Sequence, residues 1–69
     1  MSINEKIKLL RTEKGLSGLQ TSKLLGINAT ALFYIENNRN KPGADLIIKI
    51  CKLFEVSSDW LLGLKEERN

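Results

Sequence analysis

Apolar residues recur at spacings of three and four along most of this chain, in short stretches separated by polar or glycine-containing gaps. That period marks amphipathic helices. In the first stretch Ile3, Ile7 and Leu10 form an inward stripe with Leu9 beside it, and Glu5, Lys6, Lys8, Thr12 and Glu13 take the wet side. Ser2 and Glu5 have the spacing of a capping box, so the helix begins almost at the first residue. Lys14 and Gly15 close it, a cation suiting the carbonyl end and a glycine suiting the positive φ beyond.

The stretch from Ser17 to Glu36 reads as two short helices around a sharp turn. Ser17 caps the first, and Gln20 stands three residues on to complete a second capping box. Gly26 follows Leu25, where a residue with a Cβ would adopt a positive φ only at a cost of roughly 1–2 kcal/mol. Asn28 caps a third helix whose inward face is Ala31 or Leu32, then Ile35. Two helices across a turn with a central glycine make a helix-turn-helix.

Beyond it, Asn38 is placed to end the third helix in the left-handed region, and Asn38 to Gly43 form a short polar, basic loop. A fourth helix is expected from Gly43 or Ala44 to Phe54, with Ile47, Ile50, Cys51 and Phe54 inward, Lys49 and Lys52 outward, and Leu46, Ile48 and Leu53 broadening the apolar band. Glu55 stands where a glycine would suit the backbone. Ser57 caps a short fifth helix ending at Gly63, and residues 65–69 form a charged tail expected to be mobile.

Leu25-Gly26-Ile27, Leu32 and Ile35-Glu36-Asn37, flanked by Ile7, Leu10 and Arg11 before and by Pro42, Ile47, Ile50, Phe54, Val56 and Ser57-Ser58-Asp59-Trp60-Leu61-Leu62-Gly63 behind, resemble the Cro and phage-repressor type of helix-turn-helix domain. The resemblance implies an all-α, compact five-helix lambda-repressor-like domain over residues 1–64, with the motif formed by its second and third helices. It also implies a sequence-specific transcriptional regulator of double-stranded DNA, most simply a repressor, that binds its operator as a homodimer with the third helix in the major groove.

Carried over position by position, base contacts fall on Asn28, Ala29, Thr30, Phe33 and Tyr34. Thr30 can bond to several bases, and Ala29 and Phe33 suit a thymine methyl. The set lacks the Gln, Asn, Arg and Lys side chains that make bidentate base contacts from the body of the helix. Phosphate contacts fall on the free N–H groups around Ser17 and Gly18 and on Asn37, Asn38, Arg39 and Lys41. Gly18 departs from the Gln usual in the family, and Thr21-Ser22 from its usual Leu-Ala pair. Arg11 and Glu36 are implied to form a structural ion pair that locks the third helix to the first. Trp60, Leu61, Leu62 and Leu64 are the expected self-association surface, with Trp60 partly in the core.

Composition narrows the alternatives. At 69 residues the chain is one domain, near the lower limit for a core without staples. A net charge of +3 favours an anionic partner, and Leu16 to Ile35 carry a single charge, Lys23, with no acid to repel a phosphate backbone. With no histidine, one cysteine and five scattered glycines, the chain offers neither a His-based triad, a metal set nor a phosphate-cradling loop, so no enzyme, metal or cofactor is expected. Cys51 reads as a small buried hydrophobe. The lone cysteine and the charged N-terminus fit a cytoplasmic protein with no membrane association. The alternative is a protein-interaction module that uses the same fold to bind and antagonise another regulatory protein. Its motivation is the missing Gln at Gly18, the aromatic pair Phe33-Tyr34 and the surplus apolar residues Leu9, Leu19, Leu46 and Leu53.

Overall fold

The computed structural model describes all 69 residues and contains five helices and no strand. They are α1 (Ile3–Glu13), α2 (Gly18–Leu25), α3 (Ala29–Glu36), α4 (Ala44–Phe54) and α5 (Ser58–Leu61). The expected all-α architecture of five helices is therefore formed, with α2 and α3 as its helix-turn-helix. Four of the five helix starts are capped by a side chain, the exception being α4 behind Gly43. Ser2 and Ser17 both close reciprocal capping boxes, with Glu5 and Gln20, while Asn28 and Ser57 each accept an N–H from one turn ahead.

All five helix ends run through left-handed residues: Gly15 at φ 68°, Gly26 at 72°, Asn38 at 61°, Glu55 at 56° and Gly63 at 84°. Gly26 takes this conformation without strain, Asn38 at modest cost, and Glu55 at roughly 1–2 kcal/mol. The turn at Glu55 also satisfies the Cys51 carbonyl, which accepts the Val56 N–H at 3.2 Å.

Every helix contributes to a core of Ile7, Leu10, Leu25, Leu32, Ile35, Ile50, Phe54, Trp60 and Leu61. Burying each of these large side chains contributes about 1.5–3 kcal/mol. Ile3, Leu16, Ile27, Leu46, Ile47, Cys51, Leu53 and Val56 pack around it half-buried, whereas Ile48 lies exposed. Burial raises the pKa of the Cys51 thiol, as expected of an apolar setting. Thr21 and Ser22 are fully buried where α2 meets its neighbours. The Ser22 hydroxyl donates to the Leu19 carbonyl at 2.8 Å, but the Thr21 hydroxyl has no partner. No helix is long and apolar enough to cross a membrane.

Two sequence expectations are corrected by the packing of α5. Lys6, assigned to the wet side of α1, is buried, because α5 crosses that face. Its Nζ donates to the Trp60 carbonyl at 2.6 Å and lies 4.9 Å from the Trp60 ring centroid. The Trp60 carbonyl also accepts the Gly63 N–H at 3.1 Å, and the aliphatic stem of lysine covers apolar surface while its ammonium reaches that oxygen. Trp60 and Leu61, placed in the self-association set, are core residues at 7% and 0% exposure. Only Leu62 and Leu64 of that set lie open, at 50% and 75%.

The charged tail lies back along α1. Arg68 donates to both carboxylate oxygens of Glu13, its guanidinium sits 5.0 Å from the Trp60 ring, and its carbonyl accepts the Ser57 N–H.

Candidate nucleic-acid interface

The turn between α2 and α3 sets the direction of α3. The N–H groups of Gly26 and Ile27 return to the carbonyls of Lys23 and Ser22 at 3.2 and 3.0 Å, which closes α2 and reverses the chain. Asn28 Oδ1 then accepts the Ala31 N–H at 2.7 Å. Ile27 is half-buried and pins the turn to the core.

On α3, Leu32 and Ile35 are buried while Ala29, Thr30, Phe33 and Tyr34 face outward. Of the two inward alternatives, Leu32 is the buried one and Ala31 is only half-buried. Phe33 is 54% and Tyr34 37% exposed, their ring centroids 6.0 Å apart and tilted by 56°. The guanidinium of Arg39 lies 5.6 Å from the Tyr34 ring, within cation–π range, and its N–H bonds to the Tyr34 carbonyl at 2.8 Å. A basic side chain is thereby held at the end of the exposed face.

Two polar side chains of α1 hold α3 in place. Arg11 Nε and Nη2 donate to the two carboxylate oxygens of Glu36 at 2.7 and 2.9 Å, and Nη1 donates to the Leu16 carbonyl at 2.9 Å. One guanidinium therefore ties the end of α3 to the segment that leads into α2. The Glu36 hydrogen bond raises the Arg11 pKa, outweighing the opposing effect of burial. Asn4, 7% exposed, donates through Nδ2 to the Ile35 carbonyl at 2.7 Å and the Asn40 carbonyl at 2.8 Å. These are the last turn of α3 and the loop that follows it.

Sequence reasoning assigned Asn4 no role, although Asn4, Ile7 and Arg11 stand at spacings of three and four and so share one stripe. A buried Asn at the edge of an apolar stripe needs partners, and that requirement was the available signal.

Gly18, Leu19, Ala29, Thr30, Leu32, Phe33, Tyr34 and Arg39 line one open groove, with the Arg11–Glu36 pair at its base. Four of the five expected base-contacting residues thus meet Gly18 and Arg39 on a single surface. Asn28 is spent as a cap, and Asn37 donates through Nδ2 to the Phe33 carbonyl at 2.8 Å. Asn37, Asn38 and Lys41 are exposed but do not line the groove.

At the start of α2 the capping box consumes the N–H groups of Ser17 and Gln20, leaving those of Gly18 and Leu19 open among the first four. A Cβ at Gly18 would meet no atom within 4 Å, so larger side chains fit there. Leu19, 57% exposed, was not among the expected contacts, yet it shares the groove with Phe33. The only acid on the groove, Glu36, is neutralised by Arg11. The surface therefore presents apolar and hydroxyl groups, open backbone N–H groups and one free cation.

Solved structures of the DNA-binding domain of the P22 c2 repressor share this architecture. The crystal structure of that repressor with synthetic operator 9T superposes with a TM-score of 0.82, covering 90% of this chain and 94% of that one at 21% identity. The solution structure of its DNA-binding domain gives 0.83, covering 100% and 88% at 20% identity. In sequence, the chain is 30% identical over 66 residues to the HTH-type transcriptional regulator ImmR of Bacillus subtilis (strain 168), covering 96% of this chain and 52% of that protein. It is 35% identical over 66 residues to the HTH-type transcriptional activator BcrR of Enterococcus faecalis, covering 96% and 32%. The chain thus spans about half the length, or less, of these two relatives. The sequence pattern of the helix-turn-helix domain family matches residues 4–67, nearly the whole length, and the chain belongs to that family.

Proposed function

We propose that this domain is a sequence-specific transcriptional regulator that occupies an operator in double-stranded DNA, most simply as a repressor. The observation that carries the proposal is the outward face of α3, fixed to α1 through Arg11 and Asn4 and free of any unpaired acid. In this reading α3 enters the major groove. Ala29, Thr30, Phe33 and Tyr34 approach base edges from its exposed side, and Asn28 lies at its leading end.

Backbone phosphates are held on either side, by the open N–H groups around Gly18 with Ser17 beside them, and by Asn37, Asn38, Arg39 and Lys41. The relatives are named as regulators of transcription, which favours DNA over a protein target for this face. A homodimer would pair two copies through the exposed Leu62 and Leu64.

The test is selection of bound fragments from random duplex DNA at near-physiological salt. The expected result is a two-fold symmetric site with half-sites about 10 base pairs apart. A folded protein that enriches no sequence and shows no salt-sensitive retention on DNA would reject the proposal.

A further inference from the structure

A second open groove forms where the end of α2 packs against α4, and it shares no lining residue with the groove of α3. The end of α2 and its turn contribute Lys23, Leu24 and Gly26, and α4 contributes Lys49, Lys52 and Leu53. Leu24 is 59% exposed and Leu53 half-buried. Three of the chain's eleven basic residues stand here with none of its eight acids. Lys23 and Lys52 belong to neither ion pair of the molecule, and Lys49 reaches only the Leu25 carbonyl, at 3.4 Å. Lys49 and Lys52, three residues apart on one helix, repel each other. The groove therefore combines uncompensated positive charge with an open leucine, and both are relieved only by a partner.

That partner must neutralise the lysines and cover the leucines at the same time. A phosphate backbone does the first and has no apolar group to offer Leu24. A bilayer takes up an apolar face several residues wide, and here a single leucine stands open. An acidic protein segment does both, with carboxylates on the lysines and one large apolar side chain in the depression. We propose that this groove is a docking site for an acidic, amphipathic segment of a second protein. Its apolar anchor seats between Leu24 and Leu53, and its carboxylates meet Lys23 on the α2 side and Lys49 and Lys52 on the α4 side. Docking does not depend on the operator reading. Where that reading holds, the α3 face stays free, and the domain carries its partner to the DNA.

The experiment is selection from a display library of random peptides by the full chain at near-physiological salt, followed by titration of the most enriched peptide and mapping of amide chemical shifts. The expected peptides carry several Asp or Glu around one large apolar residue, and they shift the amides of Lys23, Leu24, Lys49, Lys52 and Leu53. Reversing two charges, Lys23→Glu with Lys52→Glu, should weaken the peptide about tenfold or more, and Leu24→Ser about tenfold. These three side chains are exposed and outside the core, and an unchanged melting temperature checks that the variants fold. Saturating duplex DNA should leave the peptide affinity unchanged. Enriched peptides that lack acids, or shifts confined to the α3 face, would overturn the proposal. So would displacement of the peptide by duplex DNA, which would make the lysines phosphate contacts. Binding to phosphatidylglycerol vesicles that Leu24→Ser abolishes would assign the groove to a lipid surface instead. If the peptide docks here and no operator is selected, the docking site stands and the operator reading falls.

Discussion

Two arginine–carboxylate forks, both made by α1, have the same bond lengths and different surroundings. Arg11 grips Glu36 and Arg68 grips Glu13, each through bonds of 2.7 and 2.9 Å. The side chains of the first pair are 16% and 7% exposed, those of the second 42% and 42%. Bond lengths thus fail to distinguish a joint that ties α3 to α1 from one that rests a tail on the surface. Burial distinguishes them: water replaces a lost partner at the second site and cannot do so at the first.

The largest expected effect comes from breaking the buried fork. Arg11→Ala leaves the Glu36 carboxylate and the Leu16 carbonyl without their donor, and should cost about 3–5 kcal/mol of stability, read as a drop in denaturant midpoint. DNA retention should fall with it. Normal retention by a folded Arg11→Ala protein would show that α3 needs no such anchor.

Asn4→Ala comes next. It strands the Ile35 and Asn40 carbonyls and should cost about 1–3 kcal/mol in the same measurement. Thr21→Val sharpens the comparison from the opposite side, since its hydroxyl is buried with no partner. Replacing it by a methyl should stabilise the domain by about 1 kcal/mol, and a lower midpoint would mean that the hydroxyl finds a partner in solution.

The smallest effect belongs to the exposed fork. Arg68→Ala should lower the melting temperature near neutral pH only slightly. Its signature is in the pH dependence. The hydrogen bond from Arg68 holds the Glu13 pKa below its ordinary value, so the contribution of Glu13 is present above the unfolded-state pKa and is lost as pH falls through the lower folded-state value. Glu5, lowered by its hydrogen bonds with Ser2, acts in the same direction. Acid melts of the parent protein and Arg68→Ala should converge at the lowest pH, and parallel curves would place no coupling between Glu13 and Arg68.

The same distinction separates what was legible in the sequence from what was not. Helix ends rest on contacts within three or four residues, so Ser2 with Glu5, Ser17 with Gln20, Gly26 and Asn28 could be located directly. The inward stripes of α1 and α4 followed from period alone for Ile7, Leu10, Ile50 and Phe54. Lys6 escaped that logic because its environment is set by how a four-residue helix crosses α1, a contact 54 residues apart in the chain. Asn4, whose acceptors lie 31 and 36 residues away, escaped it for the same reason. Leu19 was visible as a surplus hydrophobe, but only the approach of α2 to α3 puts it beside Phe33.

By itself, then, the sequence determined the helices, their caps, the left-handed turn at Gly26 and membership in a helix-turn-helix family, since each is written in local spacing or in residue identity at matching positions. Tertiary structure decided which polar groups became anchors, which leucines were spent in the core and which stayed open, and that one groove gathers residues of both helices of the motif. Those outcomes depend on the angles at which α1, α3 and α5 cross, because burial, which sets the worth of every polar contact here, exists only once the helices have packed.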